Sequence, residues 1–352
     1  MKYISFLLIF ALFISCQSQN KNETTQKQKS TEKQLNLPKN FYKHFTGTYF
    51  NMPATISFTA LDTFVYLTIT YGQHYNTITA TIQNFKNGKF SYALLQNLKS
   101  HDTVETWKGQ FTSDSTLELF VSIPIRDTVY KFTEDYSQSI PLQVSRFDTT
   151  IYYDTTNKEL FIYTSNSLYS NKLSFTFLND MQQLRKAYDT IYPYYVKYFP
   201  SYNPDSKDYF YPLYWNRLMT VEYNEHNLLV LSDNYYQFFG GAHGLNWIKY
   251  YNIDVNDNRL LSLSDVLQDT TELPQLIYEK LTAKNIVLFV TKYSIYISKN
   301  FYIRGSKLTF VYNPYEVAPY TAGTVEVSFK FKDLKPYRKP QFLQKYFPGI
   351  KL

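Results

Sequence analysis

The sequence predicts an α+β protein in which an N-terminal antiparallel β meander domain is followed by two α+β domains. Three observations lead to this fold class. Apolar and polar residues alternate through the first third of the chain, as in half-buried strands. Helical spacing of apolar residues occurs later in the chain. Aromatic residues make up 19% of the 352 residues, whereas only 10 are glycine, which favours sheets over a phosphate-binding nucleotide fold.

The composition excludes several classes of protein. Hydrophobic residues make up 44% and charged residues 18% of the chain, which is typical of a folded protein. The length allows two or three domains at about 150 residues each. The single cysteine excludes a disulfide framework and Cys-rich zinc or iron–sulfur sites.

Residues 1–15 have the features of a lipoprotein signal peptide. Lys2 precedes an apolar run over residues 4–14, which spans about 17 Å as a helix, too short to cross a hydrocarbon core of about 30 Å. The run ends in Phe13-Ile14-Ser15 before Cys16. This ending resembles a bacterial lipobox, although Leu is more usual than Phe at its first position. We predict that Cys16 is lipidated and anchors the protein to a bacterial membrane; the alternative is an ordinary secretory signal with an incidental cysteine.

Residues 16–40 are predicted to be a flexible tether, because Gln17 to Leu35 is rich in Gln, Lys, Thr and Asn and has no aromatic residue. No acidic cluster follows Cys16, which favours a periplasm-facing anchor over surface exposure. Removal of the signal takes only Lys2 from the formal charge of +7, and a mild positive charge suits an anionic envelope. No basic stripe with interleaved aromatic residues is present, so nucleic acid is not an expected partner. Residues 341–352 are interpreted as a solvated basic tail.

The predicted meander domain covers residues 41–138. Its apolar residues lie two positions apart in several short runs, as in strands with one buried face. The runs are Ile56 and Phe58; Val65, Leu67 and Ile69; Ile78, Ala80 and Ile82; and Leu117, Leu119 and Val121. Asp followed by Thr or Ser between the runs favours tight turns, as at Asp62, Asp114 and Asp127.

The second predicted domain covers residues 139–239. Strands near Ile151 and Leu160 precede a helical pattern with apolar residues three or four positions apart. The pattern consists of Phe177, Met181, Leu184, Tyr188 and Ile191. A strand follows at Leu228 to Leu231.

The third predicted domain covers residues 240–340. A strand from Trp247 to Val255 leads to a turn and then to a helix from about Glu272 to Leu288. Two final strands are predicted at 308–312 and 324–331. Asp254 and Asp265 are interpreted as a turn residue and a helix cap.

Four motifs in the last part of the chain carry a resemblance to a known module. They are Tyr236–Gly244, Asn252–Asp254, Leu261–Leu267 and Tyr315–Gly323. In this order they resemble the uncharacterised domain pair of PdaC-type peptidoglycan deacetylases, which also occurs in the lysozyme-binding sigma-V anti-sigma factor. The resemblance covers residues 140–337 and implies an α+β fold for a PdaC-like domain at 139–239 and an anti-sigma-factor-like domain at 240–340.

The sequence departs from both families where their activities lie. It has no Thr-Phe-Asp-Asp run and no His-x-x-x-His pair, as the deacetylase domain would need, and no membrane helix with a sigma-binding segment precedes the module. We therefore predict a lipid-anchored, non-catalytic envelope protein that binds peptidoglycan or a wall-degrading enzyme such as lysozyme. The alternatives are a hydrolase or deacetylase acting on wall glycan, and a structural scaffold.

Two short stretches hold the candidate ligand-binding residues. Gly240, Gly241 and Gly244 can direct successive N–H groups at an anion or a sugar oxygen, with His243 beside them; the alternative is a tight link between strands.

In the second stretch, Tyr315 and Tyr320 can present rings to a sugar, and Glu316 is the candidate carboxylate. The alternative for Glu316 is a cap on a turn. An enzyme would use His243 and Glu316 as an acid–base pair.

No catalytic residue, metal or cofactor is predicted. None of the five histidines has zincin spacing, and the chain has no nucleophile elbow, Walker loop or dinucleotide fingerprint.

Overall fold

A computed structural model describes residues 35–95, 103–153, 158–175, 213–238 and 242–350. Strands account for 54% of the residues and helices for 9%. The predicted α+β class is therefore wrong, and the fold is mostly β. The described helices are too short to form a layer on a sheet: α1 Leu263–Val266, α2 Leu273–Thr282 and α3 Pro340–Tyr346.

The helix predicted to reach Leu288 ends at Thr282. Beyond it, Asn285 has a φ of 54°, a left-handed conformation that stops a helix. The β-branched residues Ile286 and Val287 that follow have low helix propensity. The apolar spacing that predicted the longer helix instead belongs to an irregular segment.

Eight strands within residues 40–134 form one antiparallel sheet in the order β4-β3-β2-β1-β8-β7-β6-β5. The two outer strands approach each other, so that the sheet is a nearly closed cylinder. The strands are β1 Asn40–Tyr49, β2 Met52–Leu61, β3 Phe64–Tyr71, β4 Asn76–Ile82, β5 Lys89–Leu95, β6 Thr103–Ser113, β7 Thr116–Ile123 and β8 Arg126–Glu134.

Alternating apolar residues fill this cylinder, as the sequence predicted for its strands. Val65, Leu67 and Ile69 are buried along β3, and Leu117, Leu119 and Val121 are buried along β7. Phe58 lies at the centre of the core, with its ring 5.3 to 6.5 Å from five other phenylalanine rings. Burial of such rings is a large favourable contribution to folding.

The second sheet has six strands in the order β14-β13-β12-β11-β10-β9. β10 and β11 are parallel, and the other pairs are antiparallel. The strands are β9 Gln143–Tyr153, β10 Lys158–Tyr169, β11 Leu213–Glu225, β12 Leu228–Phe238, β13 Leu245–Asp254 and β14 Arg259–Leu260.

Strands from both sides of the predicted boundary at 239/240 belong to this sheet, because β12 pairs with β13; the domain boundaries stay a prediction. The helix predicted around 177–191 lies outside the described residues, as do the signal peptide and Cys16.

A third sheet is antiparallel and consists of β15 Phe301–Arg304, β16 Lys307–Tyr312 and β17 Val325–Lys330. Its buried residues share a core with α2 and with one end of the second sheet. Residues 340–346 form α3, whose Phe342, Leu343 and Tyr346 are buried in this core. The expected solvated tail is therefore wrong for residues 341–346, because Phe342, Leu343 and Tyr346 are in the core and Lys345 is the one lysine of this segment. Among the described residues, no helix combines the length and apolar character needed to cross a membrane.

Candidate ligand-binding cleft

A cleft of about 890 Å³ lies between one end of the second sheet and the loop that joins β16 to β17. Four aromatic residues border it: Tyr235, Tyr236, Trp247 and Tyr320. Its polar residues are Asn216, Asn234, Asn246, Thr321, Thr324 and Glu326. Among the residues that line the cleft, Glu326 is the only one with a formal charge. The cleft therefore offers rings and neutral hydrogen-bonding groups.

The register of strands β11, β12 and β13 determines which residues line the sheet side of the cleft. Asn216 of β11 is opposite Tyr236 of β12, which is opposite Asn246 of β13. In the neighbouring row, Asn234 lies between Leu218 and Ile248. Because residues two apart on a strand share a face, these two rows lie on one face, which we call the cleft face.

Gly244 allows one ring of the cleft face to lie against the backbone. A Cβ atom at this position would lie 2.4 Å from the Tyr236 ring, so any larger residue would displace that ring. The carbonyl oxygen of Gly244 accepts a hydrogen bond from the Tyr320 hydroxyl at 2.7 Å. Gly244 thus joins the strand side of the cleft to its loop side.

His243 and Tyr320 form a stacked pair. Their ring centroids are 4.0 Å apart and the rings are inclined by 17°. The Nδ1 atom of His243 lies 3.0 Å from the carbonyl oxygen of Gly244, which fits an Nδ1–H donor. The Tyr315 ring is 5.7 Å from that of Tyr320. The structure therefore brings together four of the predicted residues, namely His243, Gly244, Tyr315 and Tyr320.

Glu316 forms a hydrogen bond within the loop that carries it. Its Oε2 accepts a hydrogen bond from the backbone N–H of Asn313 at 2.9 Å, which is the turn-capping alternative considered for this residue. Gly240 and Gly241 lie outside the described residues. The carboxylate that lines the cleft is Glu326 of β17, which sequence reasoning did not identify.

Asparagine side chains hold the loop side in place. The Asn313 amide accepts from the Ile248 N–H at 2.8 Å and donates to the Ile248 carbonyl at 3.1 Å. Asn300 accepts from the Tyr250 N–H at 2.9 Å and donates to the same Ile248 carbonyl at 2.7 Å. These amides form hydrogen bonds with backbone N–H and carbonyl groups on the edge of β13, at positions where β14 does not pair with it.

A third amide makes the same type of connection deeper in the protein. Asn252 donates to the Phe301 carbonyl at 2.8 Å and accepts from the Ile303 N–H at 3.0 Å. It is 3% exposed, so both hydrogen bonds are shielded from water. We call Asn252, Asn300 and Asn313 the amide clamp, because they join the second sheet to the third without a continuous strand ladder.

Below the cleft, Glu326 accepts a hydrogen bond from the Tyr302 hydroxyl at 3.1 Å. Tyr302 stacks on Tyr250 with ring centroids 4.3 Å apart. Burial raises the pKa of Tyr302 to about 12, despite the nearby Arg304 guanidinium. The phenol therefore keeps its proton at neutral pH and remains a donor to Glu326.

A buried ion pair supports the reverse face of the same strands. Arg217 donates through Nε and Nη2 to both carboxylate oxygens of Asp233 at 2.8 and 2.7 Å. The Tyr235 hydroxyl donates to Asp233 at 2.8 Å. This bidentate geometry fixes β11 against β12, directly behind the cleft face.

The two aspartates singled out in the sequence have the predicted structural roles. Asp254 accepts from the N–H groups of Asn256 and Asp257 in a turn. Burial raises its pKa, but hydrogen bonds from Lys345 and Tyr346 outweigh this effect and lower the pKa to about 2. Asp265 caps α1 through the Ser262 N–H at 2.7 Å. Within the described ranges, no group of three or more His, Cys, Asp or Glu residues is arranged to hold a metal.

The asparagines of the cleft face are recognisable in the sequence by their position within strands, although the sequence analysis did not identify them. Asn216, Asn234 and Asn246 lie inside strands, where asparagine is depleted. Polar amides on strands that also carry aromatic residues indicate a solvated, functional face. Which of these amides are neighbours depends on the pairing of β11, β12 and β13, which local sequence does not reveal.

Comparison with known proteins gives a family match for part of the chain. Residues 263–332 match the family described as "Protein of unknown function (DUF3298)". The matched range includes the loop side of the cleft and Asn300 and Asn313 of the amide clamp. No curated protein matches the chain.

Two solved structures are similar to this chain. One is a member of the DUF3298 family from Bacteroides fragilis, with 23% identity over 61% of this chain and 100% of that chain, and a TM-score of 0.48. The other is a DUF3298 family protein from Pseudomonas aeruginosa, with 16% identity over 58% of this chain and 97% of that chain, and a TM-score of 0.40.

Proposed function

We propose that this chain is a lipid-anchored envelope protein whose cleft binds the glycan of the cell wall without reacting with it. The observation that carries the proposal is the composition of the cleft, where the Tyr236 and Tyr320 rings border a surface of three asparagine side chains. Its volume of about 890 Å³ is within the usual range for small-molecule sites.

Sugar chemistry matches these groups. The C–H faces of a pyranose ring pack on aromatic rings, and its hydroxyl and acetamido groups are hydrogen-bond partners for amides. Asn216 and Asn246 flank Tyr236 in register, so a ring held on Tyr236 has an amide on either side. The lining has one formal charge, which favours a ligand that is largely neutral.

The geometry favours binding over acid–base catalysis. Glycoside hydrolysis usually needs two carboxyl groups on either side of the scissile bond. Here Glu326 lines the cleft and is hydrogen-bonded to Tyr302, whereas Glu316 caps its own turn. His243 is stacked on Tyr320, and no carboxylate among the described residues pairs with it.

The proposed lipid anchor and the proposed type of glycan are supported by the sequence. Cys16 at the end of the apolar run supports lipidation, and the motifs from Tyr236 to Gly323 resemble a module of peptidoglycan deacetylases. Peptidoglycan is therefore the proposed ligand, and the periplasm-facing side of a membrane is the proposed location.

The first experiment measures glycan binding directly. The soluble chain beginning at Gln17 is titrated by calorimetry with N-acetylglucosamine oligosaccharides and with soluble peptidoglycan fragments. We expect saturable binding that weakens at least about tenfold in Tyr236→Ala, because the variant removes a stacking surface. Phe64→Ala is the matched control, since it removes an aromatic ring that is 41% exposed on the eight-stranded sheet.

Two outcomes would overturn the proposal. The first is the absence of wild-type binding to every wall glycan, and the second is equal loss in Tyr236→Ala and Phe64→Ala. If the wild type releases products from peptidoglycan and the Glu326→Gln variant does not, the proposed function would be hydrolysis and not binding. Retention of lysozyme with no glycan binding would instead support an enzyme partner. Mass spectrometry of native protein tests lipidation at Cys16 separately.

A further inference from the structure

Five large hydrophobic side chains are exposed within residues 287–315. Their exposed fractions are 70% for Val287, 56% for Phe289, 86% for Tyr293, 45% for Tyr296 and 53% for Tyr315. We call these residues the aromatic patch. Contiguous apolar surface of this kind usually marks an interaction site.

Hydrogen bonds connect two members of the patch to the segment that carries a third. The Phe289 N–H donates to the Val317 carbonyl at 2.8 Å, in the loop that contains Tyr315. The Tyr312 hydroxyl donates to the Tyr296 carbonyl at 2.7 Å. Phe289 and Tyr296 are thus both attached to the segment that presents Tyr315.

The patch has a fixed base. The Ile295 N–H donates to the Thr291 carbonyl at 3.0 Å, closing the turn that carries Tyr293. Ile295 itself is 8% exposed and belongs to the core. Tyr315 has a φ of 72°, which is uncommon for a bulky residue. The exposed rings therefore project from an ordered loop layer.

The surroundings of the patch are mainly basic, and the exposed Glu316 beside Tyr315 is a carboxylate close to Tyr296. Residues 281–315 contain five basic residues and no Asp or Glu. Arg304 is paired with Glu222 at 2.7 Å, whereas Lys284, Lys292 and Lys299 are exposed on the patch segment. Lys292 lies over the Tyr293 ring, with its Nζ atom 4.7 Å from the ring centroid.

We propose that the aromatic patch docks the protein on an anionic membrane surface, with Phe289 and Tyr293 at the level of the lipid headgroups. Aromatic rings with one polar end prefer the membrane interface, and lysines bind the anionic headgroups. Lysine is depleted from protein–protein interfaces, which favours a membrane over a protein partner. A soluble polyanion would use the lysines but not the exposed Val287 and Phe289.

This docking is a second membrane contact, separate from the proposed anchor at Cys16. If Cys16 is lipidated, the anchor would raise the local concentration of the patch at the bilayer, so a weak contact would be enough to orient the protein. The test below uses protein without the anchor and is therefore independent of lipidation.

The experiment measures vesicle binding of the chain beginning at Gln17, which contains the whole described compact unit. Co-sedimentation is compared for vesicles of phosphatidylcholine alone and of phosphatidylcholine with phosphatidylglycerol. We expect binding only to the anionic vesicles, and a loss of about tenfold or more in Phe289→Ser/Tyr293→Ser. Phe64→Ser/Ile125→Ser is the matched control, because these side chains are 41% and 91% exposed outside the patch.

A second pair of variants tests the charge. Lys284→Gln/Lys292→Gln should weaken binding to anionic vesicles about tenfold or more, whereas Lys108→Gln/Lys131→Gln, two exposed lysines on the eight-stranded sheet, should not. Glycan affinity should be unchanged in every variant, which shows that the proteins are folded and separates this test from that of the cleft.

Three results would overturn the proposal: no binding to anionic vesicles, equal effects of patch and control variants, or binding that depends on the lysines but not on Phe289 and Tyr293. Sedimentation velocity tests whether a second copy of this chain binds the patch instead of a membrane. If the wild type is a dimer that Phe289→Ser/Tyr293→Ser dissociates, and vesicles are not bound, the patch is an interface between copies of this chain.

Discussion

The interior of the eight-stranded sheet and the cleft face of the six-stranded sheet carry different kinds of side chain. In the first, residues such as Phe58 and Leu119 are fully buried among other apolar side chains, and the sheet curls until it nearly closes. In the second, Asn216, Asn234 and Asn246 occupy equivalent strand positions and remain open to the cleft. The third sheet covers only part of this face, and asparagine side chains attach it.

This difference separates stability from recognition. A filled apolar core gains free energy in proportion to the area it removes from water. The cleft face leaves that gain unrealised, and its polar groups remain available to a ligand. We therefore expect substitutions in the cylinder to change stability alone, and substitutions near the cleft to change ligand affinity.

The largest expected effect is that of Phe58→Ala in the cylinder. The variant leaves a cavity among five phenylalanine rings and should lower the free energy of unfolding by about 3–5 kcal/mol. Urea denaturation followed by circular dichroism measures the change. Glycan affinity in the absence of urea should equal that of the wild type; an altered affinity would contradict the separation of the two regions.

The next effect is that of Asn252→Ala in the amide clamp. It leaves the Phe301 carbonyl and the Ile303 N–H without a partner, at a cost of about 3 kcal/mol in unfolding free energy. Asn246→Ala is the matched control on the same strand, because Asn246 is exposed, and its change should stay within about 0.5 kcal/mol. Similar values for the two variants would mean that the clamp does not hold the sheets together.

Glu225 links the two regions and gives a pH dependence. It accepts a hydrogen bond from Thr55 of β2, yet burial raises its pKa from 4.5 to about 7. The native state keeps this proton between pH 4.5 and 7 while the unfolded chain loses it, so Glu225 lowers the unfolding free energy as pH rises through this window, by up to about 3 kcal/mol.

We therefore expect Glu225→Gln to become more stable relative to the wild type as pH increases from 4.5 to 7. The comparison is made at each pH because His44, whose pKa burial lowers to about 4, has the opposite effect and is common to both proteins. Glu279→Gln, at an exposed position of α2, serves as control. A stability difference that does not vary with pH would contradict the assignment.

The smallest effect on stability, about 1 kcal/mol, is expected for Gly244→Ala. Its Cβ would meet the Tyr236 ring at 2.4 Å, and the ring must turn into the cleft to avoid it. Glycan affinity should fall clearly in calorimetric titrations. Gly349→Ala tests whether the loss is specific to the close approach, because an added Cβ there would lie 3.5 Å from the Tyr75 hydroxyl, an ordinary contact, and Gly349 does not line the cleft. Equal losses of affinity would refute the role of Gly244.

Local sequence predicted the strands of the cylinder because period-two alternation is a local property. Val65, Leu67 and Ile69 are buried in β3 as expected. The helix near Ile277 was also expected, but its extension to Leu288 was wrong because Asn285 adopts a left-handed conformation. The α+β class was wrong because helices account for 9% of the residues and strands for 54%.

For the cleft, the motif around His243 and Gly244 predicted one side and Tyr320 predicted the other. Glu316 was predicted both as a candidate ligand carboxylate and, alternatively, as a cap on a turn, and the structure shows the hydrogen bond of the turn cap. The amides of the cleft face were missed because their proximity arises from the register of three strands. Such non-local pairing is not encoded in a short motif.

The most direct test of the account is an NMR titration of the asparagine side-chain amides with soluble peptidoglycan fragments. Asn216, Asn234 and Asn246 line the cleft, whereas Asn252 and Asn300 are engaged in the clamp. We predict saturable chemical-shift changes for the first three and unchanged positions for the other two. Shifts that spread over the eight-stranded sheet, or their absence at saturating glycan, would contradict the assignment of the cleft as the binding site.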